Sequence, residues 1–334
     1  MIKFYKILFF NTLVIGTLIT ISSNSWMGMW LGLEINLLSI IPLMNSKKNS
    51  FSNEASLKYF ITQSIASTII LFSIIIMNYK IIYLNFSMIY IFNSALLMKL
   101  GMAPFHFWFP EIMEGLSWNN CLIMLTWQKI APSIIIMYNI NNPKFFIFFI
   151  MMSMIISGIL GINQISLRKI LTYSSINHLA WMNSAMFINE SIWTYYFIIY
   201  SIMTINIILM FKILNIYYLK QLMNSINKNF IIKFMFIFNF FSLGGIPPFL
   251  GFLPKWLVIN NLINSNLSFL TIFMIILTLI TLYFYIRLTF STLILNMTQI
   301  NYSMFYQINS IQLIMINFFM LTSLIFVSMI FNFN

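Results

Sequence analysis

The sequence predicts an all-α, polytopic transmembrane helical bundle of about eleven spans, and three observations carry that prediction. The 334 residues are 61% hydrophobic and only 7% charged, with mean hydropathy +0.93. Soluble domains carry about 25% charged residues because water must wet their surfaces. The apolar residues fall into successive runs near the roughly 20 residues that a helix needs to cross a bilayer. Finally, the connections between runs are short, which leaves no sizeable extramembrane domain, so residues 1–334 form one membrane domain.

On that ruler helices fall near 4–21, 26–44, 55–77, 85–115, 118–138, 144–162, 167–187, 190–216, 230–262, 267–294 and 310–331. The first 25 residues, with Lys3 and Lys6 before an apolar run, have the layout of a signal peptide, but Ser22-Ser23-Asn24-Ser25 offers no clear small-residue cleavage pattern, so the segment reads as an uncleaved first helix. The fourth and ninth runs are too long for one uninterrupted span, and each holds a Gly/Pro break.

With eleven spans the loops sort the cations. Lys3, Lys6, Lys47, Lys48, Arg168, Lys169, Lys220 and Lys228 fall on the N-terminal side, with Lys58, Lys212 and Lys233 at helix ends; Lys80 and Lys144 fall opposite. Positive loops stay in the compartment of synthesis, which puts the N-terminus there. The net charge of +12 is therefore a topology signal, and with no basic stripe or soluble module it does not imply nucleic acid. Cys121, the single cysteine, leaves no intramolecular disulfide and no thiolate cluster for zinc or iron–sulfur, and reads as packing. Methionines and aromatics read as core filler and lipid-facing surface. The abundance of Ile, Phe, Asn, Met, Lys and Tyr, with Arg only at Arg168 and Arg287, suggests an A/T-biased, organellar genome.

The two breaks resemble each other. Leu100-Gly101-Met102-Ala103-Pro104-Phe105 matches Leu243-Gly244-Gly245-Ile246-Pro247-Pro248-Phe249 with one extra proline, and the odd number of spans between them predicts an inverted repeat. Unwound backbone at membrane depth is tolerated only against protein or a cavity, which points to a transport pathway.

Few ionisable groups remain at depth: Glu34, Lys99, Lys129 and Lys255, with His106, His178 and Arg287. A charge at mid-span costs roughly 2.5–3.5 kcal/mol on insertion scales. Four would cost about 10 kcal/mol, as much as a fold's net stability. Arg287 can snorkel to its helix end, whereas Lys129 and Glu34 lie too deep. Lys255, about two turns from its helix end, could snorkel likewise, but it follows the GGIPPFLGFLP break directly, which favours a functional role. Glu34 and Lys99 are an opposite-charge pair, either a structural salt bridge or a proton switch set by their separation. Two histidines near helix ends or breaks read as relay or packing groups; a b-type haem is disfavoured because they are not mid-span.

Six motifs then resemble a known family in order: "GLEINLLSIIPL", "EASLKYFITQSIAST", "KLGMAPFHFWFPEIMEGLSW", "TWQKIAP", "INQISLRKILTYSSINHLAWM" and "SLGGIPPFLGFLPKWLVI". They resemble subunit 2 of animal mitochondrial NADH:ubiquinone oxidoreductase, respiratory complex I, an antiporter-like family of its membrane arm. The resemblance covers about residues 10–295, with the antiporter-like core at 26–295 and a C-terminal helix at 310–331. It implies a proton-translocating subunit with two inverted five-helix bundles around a hydrated axis. By that resemblance Glu34 is the buried glutamate, Lys99 its partner in the first broken helix, Lys129 the central lysine, and Lys255 the lysine of the second broken helix. His106 and His178 match assisting histidines. It further implies that no cofactor sits on this chain, with NAD, FMN, iron–sulfur clusters and ubiquinone on other subunits. Implied partners are the small subunit 4L on one side, antiporter-like subunit 4 on the other, accessory subunits and membrane lipids. The implied location is the mitochondrial inner membrane, N-terminus in the matrix. About three spans of the bacterial members, at their N-terminus, are missing here. The competing readings are a stand-alone cation/proton antiporter and a purely structural membrane subunit.

Overall fold

The computed structural model describes residues 4–294 apart from 46–48, 80–81, 141, 188, 227–229 and 248. The helix expected over 310–331 and the cations Lys3, Lys47, Lys48, Lys80 and Lys228 lie outside these. The chain divides into two compact units, Met1–Ser153 and Met154–Asn334, with the division inside one helix.

In the first unit α1 (Phe4–Ser22) and α2 (Trp26–Met44) form a hairpin with a Ser25 N-cap. They meet where Gly16 faces Gly32: a Cβ on Gly32 would lie 2.8 Å from the Gly16 carbonyl, so only small residues let these backbones approach. Then come α3 (Ser50–Asn78), α4 (Ile82–Leu100), α5 (Trp108–Gly115), α6 (Trp118–Leu125) and α7 (Ile130–Met137). The expected fourth helix is thus α4 and α5, split at the glycine and proline. The expected fifth is also split, contrary to expectation: a 3₁₀ turn, Trp127–Lys129, separates α6 from α7. Pro132 supplies the reason. It has no N–H for the Gln128 carbonyl four residues back, and its ring crowds that carbonyl. The division between the units falls in α8 (Pro143–Ile162).

The second unit holds α9 (Leu167–Met186), α10 (Glu190–Leu214), α11 (Leu219–Ile226), α12 (Phe230–Gly244), α13 (Phe252–Asn264) and α14 (Ser268–Ile294). Every residue of α9 from Ile170 to Met186 is buried. A helix wrapped by protein on all sides carries polar residues at little cost when each finds a partner, and α9 holds Ser174, Ser175, Asn177, His178 and Asn183. α11 was not expected. Its loop is pinned by an antiparallel clip: Leu167 N–H donates to Tyr217 and Leu219 N–H to Ile165, at 3.0 and 3.2 Å. The Arg168 guanidinium covers the Tyr217 ring at 4.7 Å.

Among the described residues seven helical stretches are long and apolar enough to cross a membrane, with shorter apolar helices at Ser87–Leu100 and Lys233–Gly244. The polytopic helical bundle stands. The broken helices yield halves too short to qualify singly, and polar α9 is not among the seven.

Candidate functional site: lysines at broken helices

Both breaks end their first half-helix in the same way. Gly101 and Gly245 have φ of +75° and +77°, the left-handed region that glycine enters without a Cβ clash. Gly101 N–H donates to Met98 and Met102 N–H to Leu97; Gly245 N–H donates to Ser242 and Ile246 N–H to Phe241. This is the Schellman closure of a helix C-terminus. It corrects the expected register. Gly101 matches Gly245 rather than Gly244, so "LGMAPFHFWFPE" (100–111) aligns with "GGIPPFLGFLPK" (244–255) without an inserted proline. In this register Lys255 falls opposite Glu111, and Lys99 opposite Leu243.

Lys99 is buried in the last turn of α4. Three donors satisfy the carbonyls around it besides Met102 N–H: Gly101 N–H and Trp108 Nε1 reach Met98, and Gln63 Nε2 reaches the Lys99 carbonyl at 3.5 Å. Lys129 ends the 3₁₀ turn, 3% exposed, with its ammonium 5.9 Å from the Phe109 ring centroid. Lys99 and Lys129 line one cavity, together with Tyr59, Leu100, Trp108, Phe109, Met124 and Gln128. It is about large enough for one water molecule. Glu34 is half-buried on α2. The salt bridge considered from the sequence is not made, whereas Lys58 pairs with Glu54 and with Glu111, both at 3.0 Å on the surface.

His106 lies in the first break, 1% exposed, with Nδ1 3.2 Å from the Pro104 carbonyl. Its Nε2 is buried with no hydrogen-bond partner in the protein.

In the second unit Lys255 is in the first turn of α13 and does not snorkel. Its ammonium is buried and donates to the Gly244 carbonyl, the last residue of α12, at 2.7 Å. It stands 6.0 Å from the Trp181 ring centroid. His178, placed near a helix end by the sequence, lies in the middle of α9, three residues before Trp181 and so on the same face. Its Nδ1 is 2.9 Å from the Tyr196 hydroxyl, and its ring lies 5.1 Å from that of Tyr200. Arg287 is exposed and donates to the Ile162 carbonyl at the end of α8, at 2.8 Å. Cys121 is packing, fully buried in α6 with its thiol turned to the Met113 and Leu116 carbonyls.

Sequence reasoning missed the neutral polar groups. Asn36, Tyr59, Gln63 and Gln128 gather around Lys99 and Lys129, and Asn177–Thr281 and Asn206–Asn239 bond in the second unit. The available signal was an amide set within an apolar run, as in "GLEINLL" and "TWQKIAP".

The family model described as NADH:quinone oxidoreductase/Mrp antiporter, transmembrane, matches residues 23–281. The chain belongs to that family. It is 51% identical over 333 residues to NADH-ubiquinone oxidoreductase chain 2 of Anopheles gambiae, covering 97% of each chain. With the chain 2 of Civettictis civetta it shares 39% over 295 residues, covering 86% and 85%. A chain of respiratory complex I from Thermus thermophilus superposes with TM-score 0.86 at 20% identity, covering 96% of this chain and 78% of that one. A chain of the Mrp complex from Dietzia superposes with TM-score 0.73 at 14% identity, covering 83% and 58%. These two likenesses speak to the fold alone.

Proposed function

We propose that this chain, a proton-translocating membrane-arm subunit of NADH:ubiquinone oxidoreductase, carries its protons past Lys99 and Lys129 in the first unit and His178 and Lys255 in the second. Glu34 biases Lys99 electrostatically, and His106 exchanges protons at the first break. The observation that carries the reading is the small cavity shared by Lys99 and Lys129, where Tyr59 and Gln128 add polar groups to a wall that also holds Leu100, Trp108, Phe109 and Met124. One water there links the two amines: an N–H bond breaks at one lysine and forms at the other, and the water gives up one proton as it gains another.

Lysine suits this task because its amine changes charge without committing to metal chemistry. On this reading NADH, FMN, iron–sulfur clusters and ubiquinone are handled by other subunits, in keeping with a chain that has a single cysteine. The neighbours are the small subunit 4L and antiporter-like subunit 4, with accessory subunits and lipid around them. The location is the mitochondrial inner membrane, with the N-terminus in the matrix, which the cation sort favours.

The test replaces Lys129 with methionine in the assembled complex. Proton pumping coupled to NADH oxidation should fall by roughly a hundredfold or more, as expected on losing a proton-transfer group, while the complex assembles normally. Unchanged pumping would remove Lys129 from the path. Joint neutralisation of Glu34 and Lys99 separates this reading from a purely structural pair, which alone predicts rescue. Purification of the native chain as a free, cation-exchanging monomer or dimer would favour the stand-alone antiporter instead.

A further inference from the structure

Gln128 is the half-buried residue before Lys129, and both ends of its amide are committed. Its Nε2 donates to Asn36 Oδ1 at 2.8 Å, and its Oε1 accepts from the Tyr59 hydroxyl at 3.3 Å. Asn36 and Tyr59 are each 3% exposed. Tyr59 and Gln128 both wall the cavity between Lys99 and Lys129. The clamp thereby ties α2, which carries Glu34, to α3 and to the 3₁₀ turn that carries Lys129.

We propose that Gln128, held by Asn36 and Tyr59, is a positioning residue for proton exchange between Lys99 and Lys129; the proposal rests on the proton path above. The two hydrogen bonds have a direction. Tyr59 has one hydroxyl proton, and it is spent on Gln128, so the tyrosine oxygen meets the cavity as an acceptor. A water there donates one hydrogen to Tyr59 and keeps its other hydrogen and its lone pairs for the two amines. An amide does not titrate, so Gln128 sets this orientation without taking the proton itself. Remove Gln128 and the tyrosine proton turns toward the cavity, where it competes with the lysines for the water's lone pairs; remove the tyrosine hydroxyl and the water loses the acceptor that orients it.

The experiment compares Tyr59→Phe, Gln128→Leu and their double variant with Lys129→Met, each in the assembled NADH-oxidising complex. Proton translocation and the solvent deuterium isotope effect on turnover are measured. Each single variant should slow pumping roughly three- to tenfold, the worth of one hydrogen bond, and raise the isotope effect. The double should be no slower than the worse single, because the residues act as one unit. Pumping at the wild-type rate and isotope effect in Tyr59→Phe, with Lys129→Met inactive, overturns the clamp and leaves the path intact. An active Lys129→Met overturns both. If Gln128→Leu fails to assemble, Tyr59→Phe, which deletes one oxygen, decides alone; failure of both to assemble makes the clamp structural and overturns the proposal.

Discussion

The two broken helices close with the same backbone hydrogen bonds and use their lysines differently. At the end of α4 neutral donors, Gln63 Nε2 and Trp108 Nε1, satisfy the carbonyls of Lys99 and Met98, which leaves the Lys99 ammonium to the cavity. At the end of α12 the ammonium of Lys255 does that work itself, reaching back across the break to Gly244. Lys99 arrives from before its glycine and Lys255 from after. Both bring positive charge to the carbonyl end of a half-helix, where the aligned peptide dipoles favour it. One backbone device therefore supports two arrangements, a lysine relieved of capping and a lysine that caps.

The sharpest way to break this comparison is to remove each amine. Lys255→Met should abolish pumping and also strand the Gly244 carbonyl, at a cost of about 1–3 kcal/mol, read as a lower temperature of complex inactivation. Lys99→Met should abolish pumping with little change in that temperature. Equal thermal losses would mean that the capping difference has no energetic weight.

Next in size are the glycines. A Cβ at either position costs about 1–2 kcal/mol from the left-handed backbone alone. At Gly245 it would also lie 2.8 Å from Lys255 Cδ and 3.0 Å from its Nζ, whereas at Gly101 it meets the Trp108 and Phe109 rings at 3.2 and 3.3 Å. Gly245→Ala should therefore displace a proton-carrying group and lower pumping more than stability, while Gly101→Ala lowers stability first. Assembly yield and pumping measured together separate the two.

A smaller effect is expected within the second unit. Tyr196→Phe deletes the hydroxyl at His178 Nδ1 and should lower stability by about 1 kcal/mol, with a shifted pH profile of turnover if His178 exchanges protons. The smallest belongs to the surface. Lys58→Met breaks the ion pairs with Glu54 and Glu111, and since exposed pairs contribute little, thermal inactivation should stay within error. In the repeat Glu111 stands where Lys255 stands in the other copy, so a null result marks the first copy's acid as a surface group.

Much of the bundle was legible because membrane helices announce themselves by length and apolarity. The two glycine breaks stood out for the same reason, as interruptions in runs too long for one span. The 3₁₀ turn at Lys129 was harder to see: Pro132 acts four residues upstream, on a carbonyl the eye does not connect with it. The repeat was found one residue out of register, because identity favoured Leu100 over Leu243 whereas φ is fixed by Gly101 and Gly245. The charged residues at depth were visible through their cost in lipid. Asn36, Tyr59, Gln63 and Gln128 were not, since a single amide or phenol in an apolar run gives no sign of the group it will meet. α11 was missed because one short helix between two spans looks like a loop.

Sequence alone determined that this chain lives in a bilayer, that its helices break at two glycines, and that a handful of charges must be hidden or used. Those are matters of transfer free energy and of backbone sterics, which act residue by residue. Only the tertiary structure decided that Lys99 and Lys129 share a cavity, that Glu34 stays apart from Lys99, and that Lys255 closes α12. The first unit's arrangement depends on donors from distant segments, and hydrogen bonds between residues 36 or more positions apart leave no local trace in the chain. Lys255 reaches back only 11 residues to Gly244, but the fold of the break between them sets that approach.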